Sequence, residues 1–345
     1  MAIKANTYFQ NNQDLSNLCE KDDALEVVSL TNVNNFSYPR IPTGGGATWV
    51  KNFTFTTNIY DGGTSESHRV EFPRVGTKPT FNSRILYHGY ASTLTISASS
   101  SVLDIGGTKW YPLNFYKNTL PTVLLIVLCG AGGAGAGSTN LYTGSGGGGS
   151  GGVGVSVIST TSGDLQITMG SGGSTSQVAE GGTAGNGGSS LLKLAYSGTI
   201  MTATGGYGGG VRNGGGGGGN GGSATGGTYN YYGVAGGKGS GSESYGGSVG
   251  STWSYSLHPY DSSVYNKSFS HNGGGAGSGG RSGGGGGGSV FAVGGTGSAK
   301  SSTAGSGNQG SGGGGGGCKN GIFGAASTGG KGGNGYVYIY GGYAP

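Results

Sequence analysis

Two glycine patterns in the sequence match motifs that enzymes use. Residues 130–135 (GAGGAG) follow an apolar run, as in a dinucleotide-binding fingerprint. That fingerprint needs a helix next and an acidic residue about 20 positions further on to hold the ribose. Here glycine runs follow, and the first acidic residue is Asp164. Residues 148–152 (GGSGG) resemble a nucleophile elbow only because chance matches are expected in so glycine-rich a sequence. We therefore predict no nucleotide cofactor.

Histidine and carboxylate side chains, the usual acid-base and metal-binding groups, are few and scattered. The histidines are His68, His88, His258 and His271. The acidic residues from position 130 onward are Asp164, Glu180, Glu243 and Asp261. Neither set shows the spacing of a metal site, and catalysis needs a preorganised group of such side chains. The sequence predicts a protein that is not an enzyme and holds no metal.

Aromatic side chains give a stronger signal, because they are concentrated in two inserts between glycine runs, residues 229–232 and 251–272. Tyrosine and tryptophan offer a large contact area at low entropy cost and dominate binding hot spots. The alternative is that these rings only cover the glycine structure. We expect surface loops that bind a partner. The candidate binding residues are Tyr229, Tyr231, Tyr232, Trp253, Tyr255, His258, Tyr260, Tyr265, Phe269 and His271.

Glycine dominates the chain from residue 130 onward, and only nine of the 88 glycines come earlier. Such a composition is typical of disorder. Three hexaglycine runs of equal length, at 214–219, 283–288 and 312–317, favour an ordered alternative instead. In polyproline II-type helices, three residues make one turn and the backbone groups point outward to neighbouring helices. An inward Cβ would push those neighbours apart, so glycine is required there.

The change in composition predicts two domains, residues 1–121 and 122–345. The first reads as an all-β module, and no segment of the chain has a helical period. Its predicted strands are 24–31, 49–60, 67–72, 84–90 and 93–97. In the second domain, short strands at 124–128, 153–160, 164–169 and 335–340, and a hairpin-like pair at 191–204 around Ser197 and Gly198, frame the glycine-rich bundle. The apolar run 124–128 should be a central strand that anchors this bundle.

Charge and hydropathy limit the partners further. Charged residues make up 9% of the chain and the formal net charge is +5, a mild basic bias. Arg212 and Arg281 are the only arginines after residue 130, whereas glycine-rich RNA-binding tails rely on dense arginine. The apolar run 124–128 is too short to cross a bilayer. We predict neither nucleic-acid binding nor membrane insertion.

Three segments carry a resemblance to a known family. They are the strand end and glycine run at 127–135, the segment at 202–210, and the closing segment 329–339 (GGKGGNGYVYI). Together they resemble the glycine-rich domain of bacteriophage tail-fibre and receptor-binding proteins, over about residues 122–340. The plan of a β module followed by a glycine-rich region also resembles the distal long-tail-fibre adhesins of T-even-like phages.

The resemblance implies a fold, a function and partners. In those adhesins, polyglycine II helices form a sandwich, and loops at its far end touch a bacterial outer-surface receptor, either protein or glycan. By this likeness the aromatic inserts would touch the receptor, and residues 1–121 would dock on a tail-fibre or tail-tip protein. The protein would be made in the host cytoplasm and act in the virion. The alternatives are a structural fibre or spacer protein and a fibre-assembly chaperone.

Overall fold

A computed structural model describes residues 52–57, 66–71, 85–115, 119–195, 198–242, 247–257, 267–319, 322 and 324–342. The strand predicted at residues 24–31 lies outside this part of the chain. Within it, helix occurs only as two short 3-10 turns, Pro112–Asn114 and Thr160–Ser162. The prediction of β-strands with almost no helix is confirmed for the described residues.

The described strands are short, and most agree with the predicted ones to within a few residues. They are β1 (Asn52–Thr57), β2 (Glu66–Glu71), β3 (Ile85–Gly89), β4 (Thr93–Ala98), β5 (Leu103–Ile105), β6 (Thr108–Trp110), β7 (Val123–Cys129), β8 (Ala136–Ser138), β9 (Val153–Ser159), β10 (Leu165–Thr168), β11 (Ser176–Val178), β12 (Ser190–Leu194), β13 (Thr199–Ala203), β14 (Ala224–Thr225), β15 (Tyr229–Tyr231), β16 (Trp253–Leu257), β17 (Lys267–His271) and β18 (Tyr336–Gly342).

Two antiparallel sheets share one apolar core. The seven-stranded sheet has the order β14-β13-β12-β10-β4-β5-β6, and the five-stranded sheet has the order β15-β9-β7-β18-β3. Buried side chains of both sheets pack together, including Ile105, Trp110, Ile126, Ile167 and Ile339. Burial of this apolar surface is the main favourable contribution to the stability of the sheets.

Strand β7 lies in the middle of the five-stranded sheet, so the predicted central strand is confirmed. Alternate side chains point to opposite faces of a strand. Leu124 and Ile126 join the core between the sheets, while Leu125 and Val127 join a second cluster on the other face. Because both faces are covered, the run is apolar at every position. The chain passes directly from β7 into Gly130.

The pairing of strands crosses the division that the sequence places after residue 121. Strand β3 pairs with β18, with Ile85 opposite Tyr340. Strand β4 pairs with β10, with Ile96 opposite Leu165. Residues 85–115 therefore share both sheets with strands of the glycine-rich region. The division at 121 separates two compositions, but it passes through both sheets.

Outside the sheets, glycine segments are linked by backbone hydrogen bonds that repeat every third residue. In segment 144–152, the amides of Gly146, Gly149 and Gly152 donate to Gly210, Tyr207 and Thr204, at 2.9, 2.9 and 3.0 Å. The amides of Gly147 and Ser150 donate to a second segment, and those of Ser145, Gly148 and Gly151 to a third. Three successive residues thus face three different neighbours.

The carbonyl groups of segment 144–152 follow the same rule and accept from three further segments. Its hydrogen-bonded neighbours are 130–136, 204–210, 216–222, 234–240, 284–287 and 310–316. We call these seven segments the glycine lattice. Every buried amide and carbonyl group needs a partner, and here the partners come from segments remote in sequence rather than from a sheet ladder. One lattice segment begins at Gly130, directly after β7, and another ends at Gly152, directly before β9.

Close approach of backbones explains why the lattice is made of glycine. At each position of the run 283–288, an added Cβ would overlap the backbone of a neighbouring segment. At Gly285, for example, that neighbour is Gly274. Some positions differ: a Cβ on Gly217, within the lattice, or on Gly275, beside it, would meet nothing within 4 Å. The requirement for glycine is therefore specific to the face of each segment.

Candidate functional site

The first aromatic insert is a strand at the edge of the five-stranded sheet. Strand β15 pairs with β9, with Tyr229 opposite Val155 and Tyr231 opposite Val153. Tyr231 is half-buried against the second apolar cluster, whereas Tyr232 is 70% exposed. The expectation of a loop here is wrong, since backbone pairing to β9 fixes these residues. Tyr229 and Tyr232 remain accessible to a partner, and Tyr231 serves packing.

The second aromatic insert begins and ends as an antiparallel strand pair. Strand β16 pairs with β17, with Trp253 opposite His271 and Tyr255 opposite Phe269. The expected loop is therefore a two-stranded ribbon over these positions. The other three candidate residues of this insert, His258, Tyr260 and Tyr265, lie outside the described residues.

His271, the last residue of β17, lies against the glycine lattice. Its carbonyl oxygen is the atom that a Cβ on Gly288 would overlap. Its ring nitrogen Nδ1 is buried and has no hydrogen-bond partner among the described residues. Burial lowers the pKa of His271 below its usual value of 6.5, because the charged imidazolium loses solvation.

Both inserts leave the lattice at the end that adjoins the sheets. For the second insert, Gly288 donates to the carbonyl of Ser251 at 3.1 Å, two residues before Val290 enters the cluster around β7. The resemblance implied receptor-binding loops at the far end of the lattice. The described ends of these inserts lie beside the sheets, while residues 258–266, between β16 and β17, lie outside the described part of the chain.

The far end of the lattice carries a different set of exposed groups. The Arg281 guanidinium lies over the Tyr142 ring, with Cζ 5.1 Å from the ring centroid. Tyr142 is 61% exposed and Ile322 is 73% exposed. Lys319 donates from Nζ to the carbonyl of Ile322 at 2.9 Å. Sequence reasoning missed this surface because its residues come from separate turns of low aromatic density.

A groove at the start of β18 is a second feature that the sequence did not reveal. Its volume is about 730 Å³, and Tyr90, Asn308, Gln309, Lys331, Asn334 and Tyr336 are among the residues that line it. These residues come from three separate stretches of chain. The closing segment 329–339 marks one wall, but nothing in the sequence indicates that Tyr90 forms part of the site.

Two side chains that could act as nucleophiles, Ser150 and Cys129, are poorly placed for catalysis. Ser150 is the central residue of the pattern 148–152, which resembles a nucleophile elbow. It is fully buried, and its hydroxyl accepts from the Val234 amide at 2.8 Å. Burial raises the pKa of the Cys129 thiol to about 12, and the thiol donates to the Gly130 carbonyl at 3.2 Å. Neither group is accessible as a nucleophile. In the described part of the chain, no three His, Cys, Asp or Glu side chains are grouped as metal ligands.

Comparison with known families concerns the glycine-rich region. Residues 116–341 match the family model of the glycine-rich domain. The chain belongs to this family. The expected glycine-rich domain over about residues 122–340 is thereby confirmed. The match includes β7, the lattice and all of β18 except its last residue. No curated protein matches the chain. None of the described helical turns is long and apolar enough to cross a membrane.

Proposed function

We propose that this glycine-rich-domain protein is the tip adhesin of a bacteriophage tail fibre and binds a receptor on the bacterial surface. The observation that carries the proposal is a backbone-linked lattice with aromatic inserts at its margin. A rigid support reduces the entropy lost when a partner binds. Tyr229 and Tyr232 are exposed on such a support.

The proposed support is a sandwich of polyglycine II helices. Three residues per turn and backbone groups that point outward are the properties of this helix type. The hydrogen bonds of segment 144–152 repeat every third residue and reach neighbours on all sides. Exclusion of Cβ atoms by neighbouring backbones fits the same arrangement.

The receptor contacts in this proposal are residues of the two inserts. They are the exposed Tyr229 and Tyr232 in the first insert, and Trp253, Tyr255, His258, Tyr260, Tyr265, Phe269 and His271 in the second. The partner is a protein or glycan of the bacterial outer surface, and residues 1–121 would dock on a tail-fibre or tail-tip protein. The protein would act in the virion.

A purely structural role is the alternative that a specific observation favours. Tyr338 stacks on Phe291 with ring centroids 4.7 Å apart, and Tyr340 is buried. Tyrosines of β18 thus serve packing. In a spacer protein that binds no receptor, the other tyrosines would have the same role. The two roles predict different results when exposed aromatic residues are removed.

Adsorption measurements with a double variant separate these roles. We expect Trp253→Ala combined with Tyr260→Ala to weaken attachment to host cells at least about tenfold, since a hot-spot residue contributes about 2 kcal/mol or more. The melting temperature should change little. The control is Tyr142→Ala at the far end, which should adsorb like wild type.

Three outcomes would contradict parts of the proposal. Normal adsorption by the double variant would exclude the second insert as the receptor site. Loss of adsorption in Tyr142→Ala alone would move the receptor site to the far end. Failure of the purified wild-type protein to compete with phage for host cells would favour a structural or chaperone role.

A further inference from the structure

The groove at the start of β18 is built around a strained turn. Gln309 has φ 44° and Gly310 has φ 82°, and the Ser311 amide donates to the Asn308 carbonyl at 2.9 Å. Two successive left-handed residues closed by this bond have the φ signs of a type I′ turn, which favours Gly, Asn or Asp. Glutamine at the first of these positions is costly. A residue kept in a strained conformation points to a function for its side chain.

Hydroxyl groups hold this turn in place from both sides. Ser311 Oγ donates to the Asn308 carbonyl at 2.7 Å, and Ser289 Oγ donates to the Gln309 carbonyl at 2.7 Å. Gly310 packs so closely on Cys129 that a Cβ there would lie 2.5 Å from its sulfur. The turn is therefore fixed to the end of β7, and the Gln309 side chain has a rigid base.

The polar side chains of the groove are free to bind a ligand. Among the described residues, the side-chain carboxamides of Asn308 and Gln309 and the side-chain ammonium of Lys331 have no hydrogen-bond or ion-pair partner. Asn334 uses its Oδ1 to accept from the Gly172 amide at 2.9 Å, which orients that side chain.

Two tyrosines complete the groove. Tyr336 is positioned by a hydrogen bond between its hydroxyl and His88 Nδ1 at 3.1 Å. Tyr90, directly after β3, is 41% exposed. Aromatic rings of this kind present flat apolar faces with a polar tip.

We propose that this groove binds an oligosaccharide. A carboxamide can donate and accept at the same time, which matches the hydroxyl groups of a sugar. Tyrosine rings pack on the C–H faces of sugar rings. The volume of 730 Å³ lies within the range of about 300–1,000 Å³ for small-ligand sites, so a ligand of several rings fits.

The lining distinguishes a saccharide from other ligands. A nucleotide or polyphosphate needs several cations, whereas Lys331 is the single cation among the lining residues. An apolar ligand needs a mostly apolar wall, whereas here polar groups make up about half of the lining. No lining residue is acidic, so the sugar is neutral or carries one acidic group beside Lys331. The site shares no residue with the aromatic inserts, and it does not depend on the proposed host attachment.

Substitution of Gln309 provides the sharpest test, because binding and stability should change in different directions. Glycine at this position relieves the left-handed φ and removes the amide. We expect Gln309→Gly to melt at the same temperature as wild type or higher. On an array of immobilised neutral and singly acidic oligosaccharides from varied sources, we expect wild type to bind at least one glycan. Binding of that glycan by the variant should fall at least about tenfold.

Two further variants make the result specific to the groove. Tyr90→Phe keeps the ring and should retain most binding, whereas Tyr90→Ala should lose it. Tyr142→Ala, which lies outside the groove and outside both aromatic inserts, should bind the array like wild type. The proposal is overturned if wild type binds no glycan, or if Gln309→Gly and Tyr90→Ala bind like wild type. A lower melting temperature for Gln309→Gly would show that Gln309 serves stability instead.

Discussion

At the scale of single residues, the absence of a Cβ is the property on which the lattice depends. Glycine is costly in regular structure, by about 0.5–1 kcal/mol relative to alanine, because it loses more backbone freedom on folding. The lattice offsets this cost with backbone hydrogen bonds that neighbouring segments can make only at close range. Where a buried serine lies among the glycine segments, its hydroxyl bonds to the backbone. Ser282 Oγ, for example, donates to the Gly277 carbonyl at 2.7 Å.

Alanine at two glycines in neighbouring segments should change stability by very different amounts. At Gly285 the new Cβ overlaps the Gly274 backbone, whereas at Gly275 it enters open space. We expect Gly285→Ala to destabilise the protein by at least about 2 kcal/mol, as overpacking does. Gly275→Ala should change stability by no more than about 0.5 kcal/mol.

Thermal unfolding of the two alanine variants checks this expectation. Valine at Gly285 should abolish soluble folding, since a branched Cβ is larger still. Equal melting temperatures for Gly285→Ala and wild type would mean that these backbones are not in close contact.

His271 should make stability depend on pH. Its pKa is lowered in the folded protein, so below about pH 6.5 the unfolded chain binds the proton more readily than the folded chain does. Stability due to this residue is present above pH 6.5 and is lost as the pH falls. We expect the melting temperature to drop less between pH 7.5 and 5.5 in His271→Gln than in wild type. Identical drops in the two proteins would show that His271 is not desolvated.

At the scale of strands, the sheets connect two regions of contrasting composition. Residues 1–121 contain ordinary alternating strands, which alone favour an independent module. The structure pairs β3 with β18 and β4 with β10, so a chain cut at residue 121 loses both partners.

A fragment of residues 1–121 should therefore leave residues 85–115 without stable strand structure. Edge groups and apolar side chains such as Ile96 and Leu103 would be exposed to water. Amide hydrogen exchange measures this directly, with fast exchange expected in the fragment and slow exchange in the full chain. Slow exchange of residues 85–115 in the fragment would support an independent N-terminal module after all.

Individual strands could be predicted from the sequence more readily than their partners. Strand β7 is apolar at every position and β18 alternates, and these patterns depend on the chain's own residues. The order of strands depends on contacts between distant residues, such as Tyr336 with Cys129, which no local pattern encodes. The sequence predicts loops for the aromatic inserts because they lie between glycine runs, but strand pairing orders residues of both inserts.

At the scale of the whole molecule, the sequence predicts the type of packing in the lattice but not its arrangement. Glycine content indicated closely packed backbones, yet identical glycine runs carry no information about which segments become neighbours. The groove was missed for a related reason, since Tyr90 and Gln309 lie far apart in the chain. They line the same groove because of the sheet order, which the sequence does not specify.

The repeat of three in the hydrogen bonds gives each lattice segment something like a reading frame. One inserted or deleted residue in segment 144–152 would turn every later amide toward the wrong neighbour, and carbonyl groups of several segments would lose their donors together. A change of three residues restores the frame and alters only the length of the segment. The turns at either end obey no such rule. Related chains should therefore differ in turn length by any number of residues, but in segment length by multiples of three.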